Sequence, residues 1–298
     1  MEYIPAKTIV TRTKSSGQWF GIDYNMNIYK GCCHGCIYCD SRSECYRIGD
    51  FDRVRAKEDA LRIIRDELRR KVKTGVVGTG AMSDPYNPFE KELKLTRHAL
   101  ELADAFGFGI AIATKSTLMK RDTDILESIR EHSPVLCKVT VTTTDDELAR
   151  KIEPGVSLPS ERLDMIADLS RKGIFTGILL MPVLPFLEDH EDNIRAVVRC
   201  AHEAGARFIY GVMGMTLRGN QREWYYDSLE KLFPGQKLAG KYMRTYGNRY
   251  ECPSPDASKL WKIFTEECRT YGILYEMKDI VCAYKRDYEI TQRTLFDS

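Results

Sequence analysis

Half of the ten cysteines lie between positions 32 and 45, and three of them have a spacing that suits a metal cluster. Cys32, Cys36 and Cys39 form a C-x3-C-x2-C arrangement, with glycine at positions 31 and 35. Soft thiolates favour iron, and cysteine ligands hold cubane iron–sulfur clusters. The two glycines let the backbone bend close to such a cluster. Three ligands leave one iron open to a substrate or cofactor, so the pattern favours catalysis over a purely structural role.

Two other interpretations of this loop stay open. A zinc site would more often use two C-x2-C pairs or four Cys and His ligands. Cys33 or His34 could contribute, although adjacent residues rarely converge on one tetrahedral ion. A cluster that only carries electrons usually has four cysteine ligands. These interpretations correspond to a zinc-bound nucleic-acid adaptor and to an iron–sulfur electron carrier or sensor without substrate chemistry. The scattered Cys252, Cys268 and Cys282 could hold a second cluster, but their wide spacing favours buried apolar thiols.

The composition is that of a globular protein with nearly balanced charge. The 298 residues are 43% hydrophobic and 30% charged, and 45 basic against 43 acidic residues leave a formal charge of +2. A protein dedicated to binding duplex DNA would usually be far more basic. No apolar run approaches the ~18–20 residues that span a bilayer, and the N-terminus lacks a secretion signal. We therefore expect a cytoplasmic protein without membrane contact, in a compartment that keeps thiols reduced.

The elements that position the cysteine loop alternate regularly along the chain. Short apolar runs predict strands at 26–30, 75–79, 107–114, 135–141, 174–181 and 207–213. Helical periodicity predicts helices at 56–73, 93–106, 122–131, 160–172 and 192–203. Nearly continuous apolar strands, each followed by a helix, indicate a parallel sheet covered on both faces. Six such units without a second sheet favour an α/β fold of the partial (β/α)6 TIM-type barrel. The cysteine loop then follows the first strand, at the edge where barrel chemistry collects.

The pattern changes after residue 214. Helical stretches near 221–232, 236–246 and 257–271 dominate there, with many aromatic and basic residues. We therefore divide the chain into a partial barrel with its cluster-binding loop, 1–214, and a helical C-terminal extension packed on the barrel, 215–298.

The cysteine loop resembles the radical S-adenosylmethionine superfamily, whose signature is C-x3-C-x-aromatic-C, here with Tyr38 as the aromatic residue. The wider string Asn-x-Tyr-x-Gly-Cys-x-His-Gly-Cys-Ile-Tyr-Cys, at 27–39, is similar to the spore photoproduct lyase-like branch, also named DNA-repair photolyase-like. The likeness extends to about residue 215. It implies a [4Fe-4S] cluster on Cys32, Cys36 and Cys39 whose fourth iron binds S-adenosylmethionine. One electron, from a flavodoxin- or ferredoxin-type donor, then cleaves that cofactor to a 5′-deoxyadenosyl radical, which abstracts hydrogen from a substrate.

The resemblance also implies residues that hold S-adenosylmethionine at the strand ends. Ser83 and Asp84, after the second strand, can accept hydrogen bonds from its ammonium. Lys115, after the third strand, matches a lysine that binds the cofactor carboxylate. Thr143, after the fourth strand, offers a hydroxyl, and Tyr38 would pack beside the adenine or shield the cluster. Each residue also has a plainer interpretation. Ser83 and Asp84 could simply form a turn, Lys115 could be an ordinary surface lysine, and Thr143 could end a strand. Tyr38 could do no more than shield the cluster.

Two departures bear on the substrate. Spore photoproduct lyases place a hydrogen-donating cysteine two residues before the serine equivalent to Ser83, where this chain has Ala81. The residue after the last loop cysteine is commonly aromatic in those lyases, and here it is Asp40. We therefore expect a radical enzyme of unidentified substrate, with lyase-like repair or modification of nucleic acid as the alternative. Basic and aromatic residues interleave in the extension, as in strand-binding grooves, although an amphipathic helix explains them better: Lys237, Lys241, Tyr242, Arg244, Tyr246, Arg249 and Tyr250.

Overall fold

The structure is a computed structural model that describes residues 1–13 and 18–294. Its strands are β1 (Glu2–Ile4), β2 (Val10–Arg12), β3 (Tyr24–Met26), β4 (Tyr29–Lys30), β5 (Arg55–Lys57), β6 (Val76–Thr79), β7 (Gly109–Thr114), β8 (Val135–Thr140), β9 (Thr176–Leu180), β10 (Phe208–Gly211), β11 (Gly214–Thr216) and β12 (Glu251–Pro253). Its α-helices are α1 (Ala60–Arg69), α2 (Glu90–Leu93), α3 (Leu95–Ala105), α4 (Thr123–Arg130), α5 (Asp146–Ile152), α6 (Pro159–Arg171), α7 (Glu191–Glu203), α8 (Gly219–Leu232), α9 (Leu238–Tyr246), α10 (Ala257–Tyr271) and α11 (Met277–Thr294). Short 3-10 segments occupy Asp40–Arg42, Glu44–Tyr46 and Thr117–Asp122.

The main sheet of the described residues has the strand order β10-β9-β8-β7-β6-β3-β2. Neighbouring strands from β3 to β10 are parallel, and β2 is antiparallel to β3. In the register of two central strands, Ile112 pairs with Cys137. Because helices return the chain from each parallel strand to the start of the next, the carboxyl ends of the strands lie at one edge. The prediction of an α/β fold with a partial (β/α)6 TIM-type barrel is confirmed.

Alternate residues of each strand face two different cores, as the twofold repeat of a strand requires. On β8, Cys137 and Val139 belong to the larger core between the sheet and its surrounding helices. Leu136 belongs instead to the barrel interior, together with Phe208 of β10 and Ile280 of α11. Inward residues near the carboxyl ends of the strands, among them Ala113 and Thr140, line a cavity.

The first predicted strand, 26–30, is divided between two sheets, so the prediction of one continuous strand is wrong. β3 pairs with β6 in the main sheet, whereas β4 pairs with β5, which also pairs with β1. Between β3 and β4, the Ile28 carbonyl accepts a hydrogen bond of 2.9 Å from the Lys57 N–H. The chain has to leave the main sheet here because the small sheet holds both ends of the cysteine loop.

One helix prediction differs from the structure at its start, and no helix was predicted for α5 or α11. The helix predicted for 56–73 begins only at Ala60, because Ala56 lies in β5 and pairs with Tyr3 and Tyr29. α11 was not predicted at all, although it carries two residues of the interior core, Ile280 and Tyr284. α6 ends at Arg171, one residue before the predicted boundary at 172, and Gly173 then adopts a φ of 73°, as glycine commonly does after a helix.

Several elements after residue 214 complete the barrel. α10 packs on α7, and β12 pairs with β11. Leu274 continues the free edge of β10: its N–H donates to the Arg207 carbonyl at 3.1 Å, and its carbonyl accepts from the Ile209 N–H at 2.9 Å. The division of the chain at residue 214 stays a prediction. Among the described residues, no helix combines the length and the apolar character needed to cross a bilayer.

Candidate cofactor site

The small sheet fixes both ends of the cysteine loop. Gly31 follows β4 with a φ of 83°, and a Cβ there would lie 2.6 Å from the Arg53 carbonyl oxygen. Only glycine fits this position, because both the left-handed backbone and the close approach exclude a side chain. The Cys32 N–H then donates to the Phe51 carbonyl at 2.8 Å. The loop also rests on the end of α5, where the Ile37 N–H donates to the Ile152 carbonyl at 3.0 Å.

The loop brings three thiols to one cavity at the carboxyl end of the main sheet. The residues that line this cavity are Cys32, His34, Cys36, Tyr38, Cys39, Ser41, Gly80, Ala81, Met82, Ser83, Asp84, Ala113, Thr114, Lys115, Thr140 and Leu179. Cys33 is not one of them and packs against the larger core instead. The three cysteines predicted as ligands therefore lie together in the cavity, and Cys33 does not.

Lys115 supplies a positive charge beside these thiols. Burial raises the pKa of Cys36 and Cys39 above the ordinary thiol value, and the Lys115 ammonium acts in the opposite direction on both. Burial lowers the pKa of Lys115, but the charges of Cys36 and Glu153 raise it above its ordinary value on balance. The cavity thus combines buried thiols, whose deprotonated form needs a positive charge nearby, with a lysine that stays charged.

Beneath the thiols lies a buried polar network around Glu153. The Tyr38 hydroxyl donates to one carboxylate oxygen of Glu153, and Arg162 donates to the other. Arg162 also donates to the Thr140 carbonyl at 2.7 Å, so it ties α6 to the end of β8. The Lys115 ammonium lies 5.6 Å from the centre of the Tyr38 ring. Tyr38 is therefore held in one orientation on the cavity wall.

Asp84 ties three segments of the cavity wall together. One carboxylate oxygen accepts from the Tyr86 N–H at 2.9 Å and from the Thr114 hydroxyl at 2.7 Å. The other accepts from the Lys115 N–H at 2.8 Å and lies 3.5 Å from His34 Nδ1. Both oxygens are thus occupied within the protein, and they link the loop after β6 with the end of β7 and with the cysteine loop.

The remaining predicted cofactor residues lie at different depths. Ser83 lines the cavity, and its hydroxyl donates to the Tyr29 carbonyl at 3.2 Å, which leaves its oxygen available as an acceptor. Thr143 is outside the set of lining residues, and its hydroxyl oxygen accepts from the Asp145 N–H at 3.1 Å, just before α5. On β8 it is Thr140 that faces the cavity.

Asp40, where an aromatic residue was expected from the lyases, joins the loop to the extension. Its carboxylate accepts hydrogen bonds from Arg218 at 2.6 Å, from the Tyr46 hydroxyl at 2.6 Å and from the Thr216 hydroxyl at 3.1 Å. The Arg218 guanidinium also lies 4.8 Å from the centre of the Tyr250 ring. The extension therefore closes over one side of the cysteine loop through a charged contact.

The sequence did not predict the roles that three residues have in this site: His34, Arg162 and Glu153. His34 is buried on the cavity wall; burial lowers its pKa, but a hydrogen bond with Cys32 and the charge of Asp84 raise it on balance. Arg162 is fully buried, and a signal for it exists in the sequence. It stands three and four residues before Met165 and Ile166, on the apolar stripe of α6, where an unpaired charge would be costly. Such a position predicts a buried acidic partner, which is Glu153.

The donors around the cavity fit an iron–sulfur cluster with an amino-acid ligand beside it. Three thiols and one ammonium face the same space, and Ser83 offers a hydroxyl oxygen. Within the described residues, no three His, Cys, Asp or Glu side chains converge as they would around a single metal ion. A cubane cluster does not need that convergence, since each cysteine binds a different iron.

Comparisons with known proteins place the chain in a family. Residues 26–216, more than half of the chain, match the family model described as the radical SAM superfamily, and the chain belongs to this superfamily. An uncharacterised protein of Mycobacterium bovis is 31% identical over 230 residues, 75% of this chain and 67% of its own. An uncharacterised protein of Methanocaldococcus jannaschii is 31% identical over 191 residues, 63% of this chain and 69% of its own.

A solved structure, spore photoproduct lyase complexed with dinucleoside spore photoproduct, has a similar fold. Its TM-score is 0.65 at 13% identity, covering 90% of this chain and 79% of that one, so the likeness concerns the fold alone. The family model, which covers more than half of the chain, confirms the predicted superfamily. The chain is an enzyme that uses a [4Fe-4S] cluster and S-adenosylmethionine and needs an electron donor, as the members of its superfamily do. This membership argues against an electron carrier without substrate chemistry and against a zinc-bound adaptor.

Proposed function

We propose that Cys32, Cys36 and Cys39 hold the [4Fe-4S] cluster, and that the enzyme abstracts hydrogen from an organic substrate bound in the barrel interior. When bound, the cluster and S-adenosylmethionine supply a 5′-deoxyadenosyl radical as the abstracting species. We place the reaction in the cytoplasm, where thiols stay reduced. A flavodoxin- or ferredoxin-type protein donates the electron.

The protein's own residues bind and orient the cofactor. Lys115 carries the positive charge for the cofactor carboxylate, and the Ser83 hydroxyl accepts from its ammonium. Asp84 positions the cavity wall, because its oxygens already bind three donors of the protein. Tyr38, fixed by Glu153, shields the cluster side of the cavity from water. Thr140 takes the place at the end of β8 that the sequence suggested for Thr143.

One observation carries this proposal: the loop places three of its cysteines in the cavity and a fourth outside it. Cys32, Cys36 and Cys39 share a cavity with Lys115 and Ser83, while Cys33 packs into the apolar core. Three ligands on one wall leave the opposite side of the cavity for a ligand that binds the fourth iron. The proposal therefore requires that three cysteines, and not Cys33, bind the cluster.

The first test separates Cys36 from Cys33. We expect C36A to abolish assembly of the cluster and formation of 5′-deoxyadenosine, since a ligand is lost, and C33A to retain most of both. Iron and labile sulfide per chain, measured after anaerobic reconstitution, report assembly, and 5′-deoxyadenosine formed with a chemical reductant reports cleavage. C33A is the matched control, because it removes a thiol from the same loop. Equal losses in the two variants would show that the ligand set is wrong.

The substrate is a separate matter, and repair of a thymine dimer has little support. Ala81 lines the cavity at the position where spore photoproduct lyases carry a hydrogen-donating cysteine. In the extension, Tyr242 and Tyr246 are buried in a third core, beside the cysteine loop, which also contains Ile37 of that loop. Lys241 and Arg244 are exposed. This arrangement agrees with an amphipathic helix and removes two rings from any surface on which bases could stack. We therefore propose a substrate that enters the barrel rather than one that lies along the extension.

The scattered cysteines of the extension give no support to a second cluster. Cys252 is buried in the core beside the cysteine loop, and Cys268 is buried in the larger core between the sheet and its helices. Cys282 is exposed on α11. We propose that Cys252 and Cys268 serve as small apolar side chains in these cores.

A further inference from the structure

A lysine lies in the barrel interior directly below the cofactor cavity. Lys138 is on β8 between Cys137 and Val139, which face the helices, so its side chain points to the interior. Thr140, two residues further along the same face, lines the cavity. Ala113, the register partner of Lys138 on β7, lines it too. Lys138 thus occupies the first inward position beneath the cavity.

Lys138 is buried without a counterion. Only 2% of the residue is exposed. In the part of the chain that the structure describes, its ammonium has no carboxylate partner and no hydrogen-bond acceptor; the contact it makes is with the Phe20 ring, 4.7 Å from the ring centre. A buried charge normally has a partner, and a cation–π contact compensates only part of its lost hydration.

The neighbours of Lys138 are small or uncharged. Its register partners are Ala113 on β7 and Gly177 on β9. Burial lowers the pKa of Lys138 to about 7, and Cys137 on its own strand is the neighbour that acts in the opposite direction. A lysine in such surroundings gains its full charge when an anion arrives, because the anion stabilises the protonated form.

We propose that Lys138 binds an oxyanion of the substrate, a carboxylate or a phosphate, and so holds the substrate in the barrel interior beneath the cofactor cavity. The geometry favours the substrate over the cofactor as the source of this anion. Lys115, which lines the cavity, already provides a cation beside the thiols, whereas Lys138 lies one layer deeper on the interior face. A second anionic site in the interior suits a molecule that lies below the cofactor. This inference rests on the proposed function, since it assumes a substrate inside the barrel.

The test compares the reconstituted holoenzyme with its K138M and K151M variants. Acetate represents a carboxylate, inorganic phosphate represents a phosphate, and chloride at equal ionic strength serves as the reference anion. Dissociation constants come from the rise of the thermal unfolding midpoint with anion concentration. K151M is the matched control, because Lys151 also lies over an aromatic ring, 5.7 Å from the centre of Phe233, but is exposed.

We expect one of the two oxyanions to stabilise the wild type and K151M, and to bind K138M at least tenfold more weakly, as the loss of a charge-assisted hydrogen bond implies. The anion that raises the unfolding midpoint shows whether the substrate's oxyanion is a carboxylate or a phosphate. Without anion, K138M should unfold at the same or a higher temperature, since methionine fills the space without a buried charge. Equal anion responses of wild type and K138M, or none in the wild type, would overturn the inference, as would a lower unfolding midpoint of K138M without anion.

Two further measurements separate this inference from the proposed function. Iron and labile sulfide per chain, and the affinity for S-adenosylmethionine, should be the same in K138M and wild type. A large loss of that affinity in K138M would show that Lys138 serves the cofactor, which overturns the inference but leaves the proposed function intact. A wild type without labile sulfide would instead refute the proposed function.

Discussion

Glu188 is a residue whose protonation the fold controls. It follows β9 at the cavity end of the barrel and has no exposed surface. Its carboxyl accepts from the Thr142 hydroxyl at 2.6 Å and from the Leu184 N–H at 2.9 Å. Burial raises the pKa of Glu188 to about 8; the two hydrogen bonds lower it, the charge of Glu153 raises it further and Arg162 lowers it. The group therefore carries a proton in the folded enzyme at neutral pH.

This proton makes stability depend on pH. The unfolded chain loses the proton near the ordinary glutamate pKa of 4.5, whereas the folded chain keeps it up to a pKa of about 8. The contribution of Glu188 is thus fully present below the unfolded pKa and is lost as the pH rises through the folded pKa, by about 3 kcal/mol between pH 5 and 8. We expect E188Q, which keeps the shape without the titration, to flatten this part of the curve. Urea unfolding at several pH values measures it. The exposed Glu203 on α7 is the control, since E203Q should leave the curve unchanged; a curve of E188Q parallel to wild type would contradict the prediction.

Among single residues, the sequence predicted those whose role follows from a short motif. Cys32, Cys36 and Cys39 are recognisable because one short loop contains them. Glu153 and Lys138 are not, because their roles arise from partners, or from the lack of partners, that only the folded chain defines. A lysine inside a strand is as compatible with an exposed position as with the interior.

Gly80 shows how an element end shapes the site. It directly follows β6 with a φ of 93°, and a Cβ at this position would lie 1.9 Å from the Ala113 carbonyl oxygen. Such an approach cannot be relieved by a side-chain rotation, because the opposing atom is backbone. β6 and β7 must therefore separate if residue 80 gains a side chain, and the loop with Ser83 and Asp84 would move with them.

We expect G80A to lower the free energy of unfolding by about 3 kcal/mol and to weaken binding of S-adenosylmethionine, through backbone strain and the clash together. Denaturant titration and equilibrium binding measure the two effects. Gly107 is the matched control: it has a φ of 70° but nothing within 4 Å of an added Cβ, so G107A reports the strain alone. If both variants lost the same stability and kept their affinity, the close approach of β6 and β7 would have no importance for the site.

Elements with strong periodicity were predictable, and elements defined by distant contacts were not. The parallel strands β6 to β10 are mostly apolar and were found with small errors of boundary, whereas the first predicted strand overlaps β3 only at Met26. The sequence did not predict β5 or the break between β3 and β4, because β4 and β5 are only two or three residues long and stabilise each other. α11 was not predicted because its sequence is mostly polar. The burial of its apolar residues, among them Ile280 and Tyr284, is evident only from their contacts in the barrel interior.

The whole molecule closes an incomplete barrel with residues from both ends of the chain. Six parallel strands leave the edges of β3 and β10 apart. Phe20, just before β3, lies 5.5 Å from Tyr210 of β10 between ring centres. From the other end, the Tyr284 hydroxyl of α11 donates to the Phe20 carbonyl at 2.6 Å. Phe20, β10 and α11 thus share one interior core, so the packing of the extension stabilises the barrel.

We therefore expect barrel and extension to unfold together. In urea, a W19F variant retains only Trp224 and Trp261, both in the extension, and their fluorescence should follow the same transition as circular dichroism of the whole chain. I280A, which empties part of the interior core, should shift that single transition by about 3 kcal/mol without splitting it. K278A, at an exposed position of the same helix, is the control and should have little effect. Two separated transitions in the wild type, or a splitting in I280A, would show that residues 215–298 fold as an independent domain.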